Sequence, residues 1–143
     1  MPASPRRLFL PEPPRAMILD HARQSPTLEV CGLLIGSGDD LISIAAVEKV
    51  ANRADEPGRR FEIDPQVQFD LHRRLRGSDQ RVIGHYHSHP GGPAAPSAYD
   101  LSMAHDPDAV WVIVTLHPSE AVTAYICLDQ ANGFQTLQIV TNL

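Results

Sequence analysis

The chemistry in this chain is concentrated in one stretch, His85-Tyr-His87-Ser-His89-Pro-Gly-Gly-Pro-Ala-Ala-Pro-Ser97-Ala-Tyr-Asp100. If Arg81 to His89 is an extended strand, alternate side chains share a face. His87 and His89 then point the same way, with Cα atoms roughly 6.5–7 Å apart. Two imidazoles at that spacing can lean onto one ion at the roughly 2.0–2.1 Å that zinc requires. The Gly/Pro loop lets the chain fold back, so Asp100 can offer a carboxylate from the first turn of the next element. Two neutral imidazoles and one carboxylate leave a fourth position for water, the pattern of a catalytic rather than a structural zinc site.

Each of these residues has a plainer reading. A lone histidine on a strand is commonly a hydrogen-bonding core residue. Ser97 and Asp100 form S-x-x-D, a helix capping box in its own right. The two readings are compatible, because a capped helix is a rigid way to aim a carboxylate. His85 shares the strand face with His87 and His89, and we expect it to pack or to orient a ligand rather than to bind metal. Tyr99 and Trp111 read as packing residues.

The elements that must position these groups follow from pattern. Arg6–Leu10 reads as a short strand. Pro11–Pro14 opens a helix with an apolar face of Ile18, Leu19 and Ala22, stopped at Ser25-Pro26. Glu29–Gly36 reads as a buried strand and Leu41–Val50 as its hairpin partner. Ala51–Arg60 is a polar loop, and Phe61–Ile63 a possible short strand. Asp64-Pro65 starts a helix with Val67, Leu71 and Leu75 on one face, ended by Gly77. After the strand at Arg81–His89 and the loop, a short helix spans Ser97 to about His105. Three strands follow at Ala109–Leu116, Ala121–Leu128 and Phe134–Val140. This order predicts an α/β protein with a mixed sheet.

The chain has 143 residues, a normal length for one domain, so residues 1–143 are read as a single unit. Its formal charge of −5 and scattered arginines give no extended basic surface, which argues against nucleic acid. The two cysteines, Cys31 and Cys127, lie in apolar runs and are expected as buried free thiols. Met1–Arg7 has no signal-peptide form and no apolar run is long enough to span a membrane, so a cytoplasmic location is expected.

H-x-H, then seven residues, then S-x-x-D, is specific in both spacing and residue type. The stretch resembles the motif of the JAMM (MPN+) metalloproteases. Glu29-Val-Cys31-Gly32-Leu-Leu resembles an early strand of that family. Phe61-Glu-Ile-Asp64-Pro65 and Val82-Ile-Gly84 resemble segments of its small prokaryotic members. The resemblance runs from about Arg6 to Leu128.

It implies a curved mixed β-sheet flanked by helices, a cytidine deaminase-like fold. It implies one zinc ion on His87, His89 and Asp100. Glu29 would take a proton from the attacking water and pass it to the leaving amine, and Ser97 would hydrogen-bond the oxyanion. Residues alone do not single out Glu29 from Glu48 or Glu62. Deamination itself is disfavoured, since H-x-E and P-C-x-x-C are missing.

The compactness of the chain is similar to the short bacterial members. The implied activity is hydrolysis of an amide bond after the Gly-Gly tail of a ubiquitin-like or sulfur-carrier protein. The alternatives are a hydrolase of small amides or short peptides, a metal-free MPN-type scaffold, and a RadC-like branch whose H-N-H-P-S-G motif differs from the sequence here. Either a monomer or a homodimer is compatible with the sequence.

Overall fold

The computed structural model describes residues 6–143. Residues 1–5, part of the N-terminal segment read for targeting, lie outside the described residues. The elements are β1 (Arg7–Phe9), α1 (Pro14–Gln24), β2 (Cys31–Ser37), β3 (Leu41–Val50), α2 (Pro65–Leu75), β4 (Arg81–Ser88), α3 (Ala98–Ser102), β5 (Val110–Thr115), β6 (Ala121–Ile126) and β7 (Gln135–Val140).

The strands run β1-β3-β2-β4-β5-β6-β7, and β1 pairs in parallel with both β3 and β7, closing the sheet into a ring. The mixed α/β class is as the sequence predicts; the closure by three residues of β1 was not legible. β2 pairs antiparallel with β3 and β4, whereas β4 and β5 are parallel. A parallel pair needs a crossover. Here the crossover holds the Gly/Pro loop and α3, so the topology itself brings Asp100 back beside β4.

Two apolar layers explain why β2 is a continuous apolar run. Leu34 faces inward with Leu8, Ile18, Ile44, Tyr86 and Val112, the core that α1 covers. Cys31, Leu33 and Ile35 face outward onto Ile63 and Leu71, under α2. A strand buried on both faces has no polar side to show. Both helices start as their sequences require, α1 with Pro14 in its first turn and α2 with Asp64 as N-cap, its carboxylate accepting from Gln66 N–H at 3.0 Å. Gly32 is forced: a Cβ there would overlap the phenol ring of Tyr86, which crosses the inner face of β2. Among the described residues, no helix is long and apolar enough to cross a membrane.

Most strands are a residue or two shorter than expected, and three differences bear on the site. β2 begins at Cys31, leaving Glu29 in the loop that leads into the strand. Phe61–Ile63 forms no ladder; Glu62 N–H goes to the Asn52 side chain and its carbonyl takes Arg53 N–H. α3 stops at Ser102, tightened by three-residue bonds from Met103 N–H to Asp100 and from Ala104 N–H to Leu101. Cys31 and Cys127 are buried free thiols, as expected.

Candidate metal centre

β4 delivers the histidines. His87 sits opposite Cys31 on β2 and Ile113 on β5, fully buried. His89 lies one residue past the strand, yet its N–H still reaches Val114 carbonyl at 2.9 Å, so the alternation persists. The result is a His87 Nε2 to His89 Nε2 distance of 2.9 Å. His89 Nδ1 faces the Pro93 carbonyl at 3.0 Å. A proton held there leaves Nε2 with its lone pair free for an ion.

The loop between the ligands is rich in glycine and proline but is not loose. Thr115 Oγ1 donates to the Gly92 carbonyl at 2.7 Å, and the hydroxyls of Thr123 and Tyr125 both donate to the Ala94 carbonyl. The loop delivers Ser97, the N-cap of α3. Its Oγ accepts from Asp100 N–H at 3.0 Å, while Ser97 N–H donates to Asp100 Oδ2 at 2.9 Å. The capping box is therefore real. The same Oδ2 lies 3.3 Å from both His87 Nε2 and His89 Nε2.

Those distances test whether the residues fit zinc. The edge of a tetrahedron is 1.63 times its centre-to-corner length, so ligands at about 2.0 Å sit roughly 3.3 Å apart. Both His–Asp edges match, and the His–His edge is slightly short. Three donor atoms of the types zinc takes thus converge on one point. A zinc ion held by two imidazoles and one carboxylate would have a position left for water, the pattern of a catalytic site.

Glu29 completes the group. Its carboxylate and the two imidazoles offer donor atoms all within 4.8 Å of one another. Its Oε1 is buried without a hydrogen-bond partner. Burial, more than the nearby Asp100 charge, pushes the Glu29 carboxyl up to about 7. Asp100 goes the other way. Its burial alone would raise it, but His87, His89 and Ser97 N–H together hold it well below the usual carboxylate range. Two carboxylates that face the same pair of imidazoles are thus split, one favouring the anion and one ready to hold a proton. Burial lowers His87 below its ordinary value. For His89, contact with Asp100 and Pro93 outweighs burial and raises it.

His85 stays out of the cluster. Its ring meets Trp111 edge-on at 4.3 Å, its Nδ1 is buried without a partner, and burial pushes its pKa down to about 3. Trp111 is buried packing, as expected. Tyr99 is not: it is 36% exposed, and the Arg60 guanidinium lies over its ring at 4.5 Å. Its place on the outer turn of α3 turns it from the core towards the loop before α2. Phe61 is a residue the sequence reading gave no role. It stacks on His87 at 4.2 Å with the rings only 20° apart, fixing the imidazole plane. Only its neighbour Asp64-Pro65, which anchors α2, hinted that this segment is held in place. Beside Asp100 a cleft of about 250 Å³ opens, lined by Phe61, Ile63, His85, Tyr99, Met103 and Trp111.

The family model described as prokaryotic homologs of the JAB domain matches residues 11–127. A desampylase of Haloferax volcanii is 35% identical over 123 residues, covering 83% of this chain and 86% of that protein. A ubiquitin carboxyl-terminal hydrolase of Saccharomyces cerevisiae is 28% identical over 132 residues, and this chain spans only 43% of its length. The solution structure of a protein from Desulfitobacterium hafniense superposes with a TM-score of 0.83 at 30% identity, covering 94% of this chain and 92% of that one.

Fold and site together define an α/β domain with a candidate metal site of two histidines, His87 and His89, with the carboxylates of Glu29 and Asp100 close to them, as in metal-dependent proteases. The chain belongs to the prokaryotic JAB family and is a homologue of the JAMM metalloproteases.

Proposed function

We propose that this chain is a zinc-dependent peptidase or isopeptidase. Its substrate is the amide bond after the Gly-Gly tail of a ubiquitin-like or sulfur-carrier protein, and residues 1–143 act as one catalytic domain. The observation that carries the reading is the convergence of His87 Nε2, His89 Nε2 and Asp100 Oδ2 at 2.9 and 3.3 Å. The substrate class is supported by the relatives, one named a desampylase and one a ubiquitin hydrolase.

In this reading His87, His89 and Asp100 hold one zinc ion. When bound, the ion supplies a Lewis acid that polarises the scissile carbonyl and makes water acidic near neutral pH. Glu29 takes the proton of the attacking water and gives it to the leaving nitrogen, a task suited to a carboxyl raised to about 7. The Ser97 hydroxyl oxygen accepts from Asp100 N–H, which leaves its own hydrogen to donate to the developing oxyanion.

The test is cleavage of Gly-Gly-extended carrier fusions by zinc-loaded protein, followed by mass spectrometry. A new carrier terminus at the second glycine, abolished by chelator and restored by zinc, is the expected result. Zinc-loaded protein that leaves several such fusions intact but cleaves small amides would move the activity to the alternative substrate class.

A further inference from the structure

Asn52 lies outside every motif that singled out the site, yet its amide is fully used. Nδ2 donates to the Glu29 carbonyl at 2.9 Å and to the Arg60 carbonyl at 3.0 Å. Oδ1 accepts from Ala54 N–H at 3.0 Å and from Glu62 N–H at 3.1 Å. A primary amide offers two hydrogens and two lone pairs, and here all four are engaged.

The partners matter more than the count. Glu29 lies before the start of β2, so no ladder fixes it. Its N–H goes to the Pro57 carbonyl at 2.7 Å and its C=O goes to Asn52, so both backbone groups are held by the loop of residues 51–63. Arg60 and Glu62 flank Phe61, the ring stacked on His87. Arg53 N–H to the Glu62 carbonyl, at 2.9 Å, closes the loop beside the same asparagine. One half-buried side chain therefore ties together the backbone of Glu29 and the backbone that presents Phe61.

We infer that Asn52 is a positioning residue of the site: it closes the loop of residues 51–63 onto Glu29 and thereby fixes where that carboxylate stands relative to His87 and His89. The inference rests on the proposed role of Glu29 as the base. A misplacement of about 1 Å in such a group can cost roughly a hundredfold in rate. The ligands themselves hang from β4 and α3, so their hold on zinc depends on Asn52 only indirectly, through the Phe61 ring that stacks on His87.

Asn52→Asp is the informative change. It keeps the acceptor for Ala54 and Glu62 but sets a carboxylate oxygen against two carbonyls. Wild type, Asn52→Asp and Asn52→Ser are compared in three ways: zinc affinity by chelator competition, kcat and KM on a Gly-Gly carrier fusion, and amide hydrogen exchange. Arg53→Ala, which breaks only the exposed pair with Asp64 in the same loop, is the control.

For Asn52→Asp we expect exchange at the Glu29 amide to quicken by about tenfold or more while β5 amides stay protected. We expect kcat to fall by about tenfold or more, KM to hold within about twofold, and zinc affinity to hold within about threefold. Wild-type kcat in the folded variant overturns the inference. So does a loss of kcat that only tracks a loss of β5 protection, since that marks global unfolding. If Asn52→Asp does not fold, Asn52→Ser, which removes both amide hydrogens without adding charge and whose single, shorter hydroxyl cannot serve both carbonyls, carries the same readings. If wild type cleaves no fusion, the proposed reaction fails by itself. Exchange at Glu29 still decides whether Asn52 places that residue.

Discussion

The site has two banks, and they are built by different physics. On one bank His87, His89 and Asp100 hang from a central strand, a clamped loop and a capped helix. Ladder bonds, three hydroxyl clamps and a reciprocal cap fix them locally. On the other bank Glu29 and Phe61 belong to irregular backbone, held by the Asn52 amide and by single backbone bonds such as Glu29 N–H to Pro57. Tight convergence of donor atoms needs the first kind of support. A carboxylate that must take up and release a proton can tolerate the second. Metal affinity should therefore depend mainly on the strand-and-helix bank, and rate mainly on the loop bank, with Phe61 reaching from the loop to stack on His87.

The largest effect should come from the first bank. Asp100→Ala removes a ligand atom and the Ser97 N–H to Asp100 half of the capping box together, and zinc affinity should fall by more than the roughly 10–100-fold typical of losing a ligand's supporting partner. Competition with a chelator measures it, and activity should vanish alongside. Near-wild-type affinity would mean that Glu29, which also reaches the histidines, is the third ligand.

Glu29→Gln is the matching change on the second bank. It should lower kcat by about 10²–10⁴ while zinc content after dialysis stays stoichiometric. Full rate would remove Glu29 as the base and leave the metal site intact.

Phe61→Leu should act more mildly, weakening zinc affinity by about tenfold as the His87 plane loosens. A stronger effect on kcat than on affinity would place Phe61 functionally with Glu29 instead.

Tyr125→Phe removes one of the two hydroxyls on the Ala94 carbonyl, and thermal unfolding should report a loss of about 1 kcal/mol. Zinc affinity should hold, because Thr123 remains.

The smallest effect at neutral pH concerns Cys31, beside both banks. Burial first, and the Glu29 charge second, push its thiol from 9.0 up to about 12. A raised acid pKa in the folded state means full stability below pH 9 and a progressive loss between 9 and 12, as only the unfolded chain ionises. Cys31→Val should flatten that alkaline slope in urea titrations. An unchanged slope would assign it to other groups, such as Tyr86, whose hydroxyl burial also raises.

The strand-and-helix bank was readable because its rules are local. Period-two alternation put His87 and His89 on one face, and S-x-x-D announced a cap that the structure uses as drawn. Asp64-Pro65 likewise fixed the start of α2. The same rules could not say whether Asp100 caps the helix or turns to the histidines; one oxygen accepts from Ser97 N–H and lies 3.3 Å from His87 Nε2. They also could not exclude His85, which alternation places beside the others and which packing against Trp111 holds apart.

By itself, then, the sequence determined most of the elements and brought His87, His89 and Asp100 forward as candidates, because backbone periodicity and capping act within a few residues. Tertiary structure alone decided the closure of the sheet by β1, the stacking of Phe61 on His87, and the tie from Asn52 to Glu29. Those contacts join residues far apart in sequence, 23 positions for Asn52 and Glu29, and no local pattern encodes which distant partner will satisfy a given polar group.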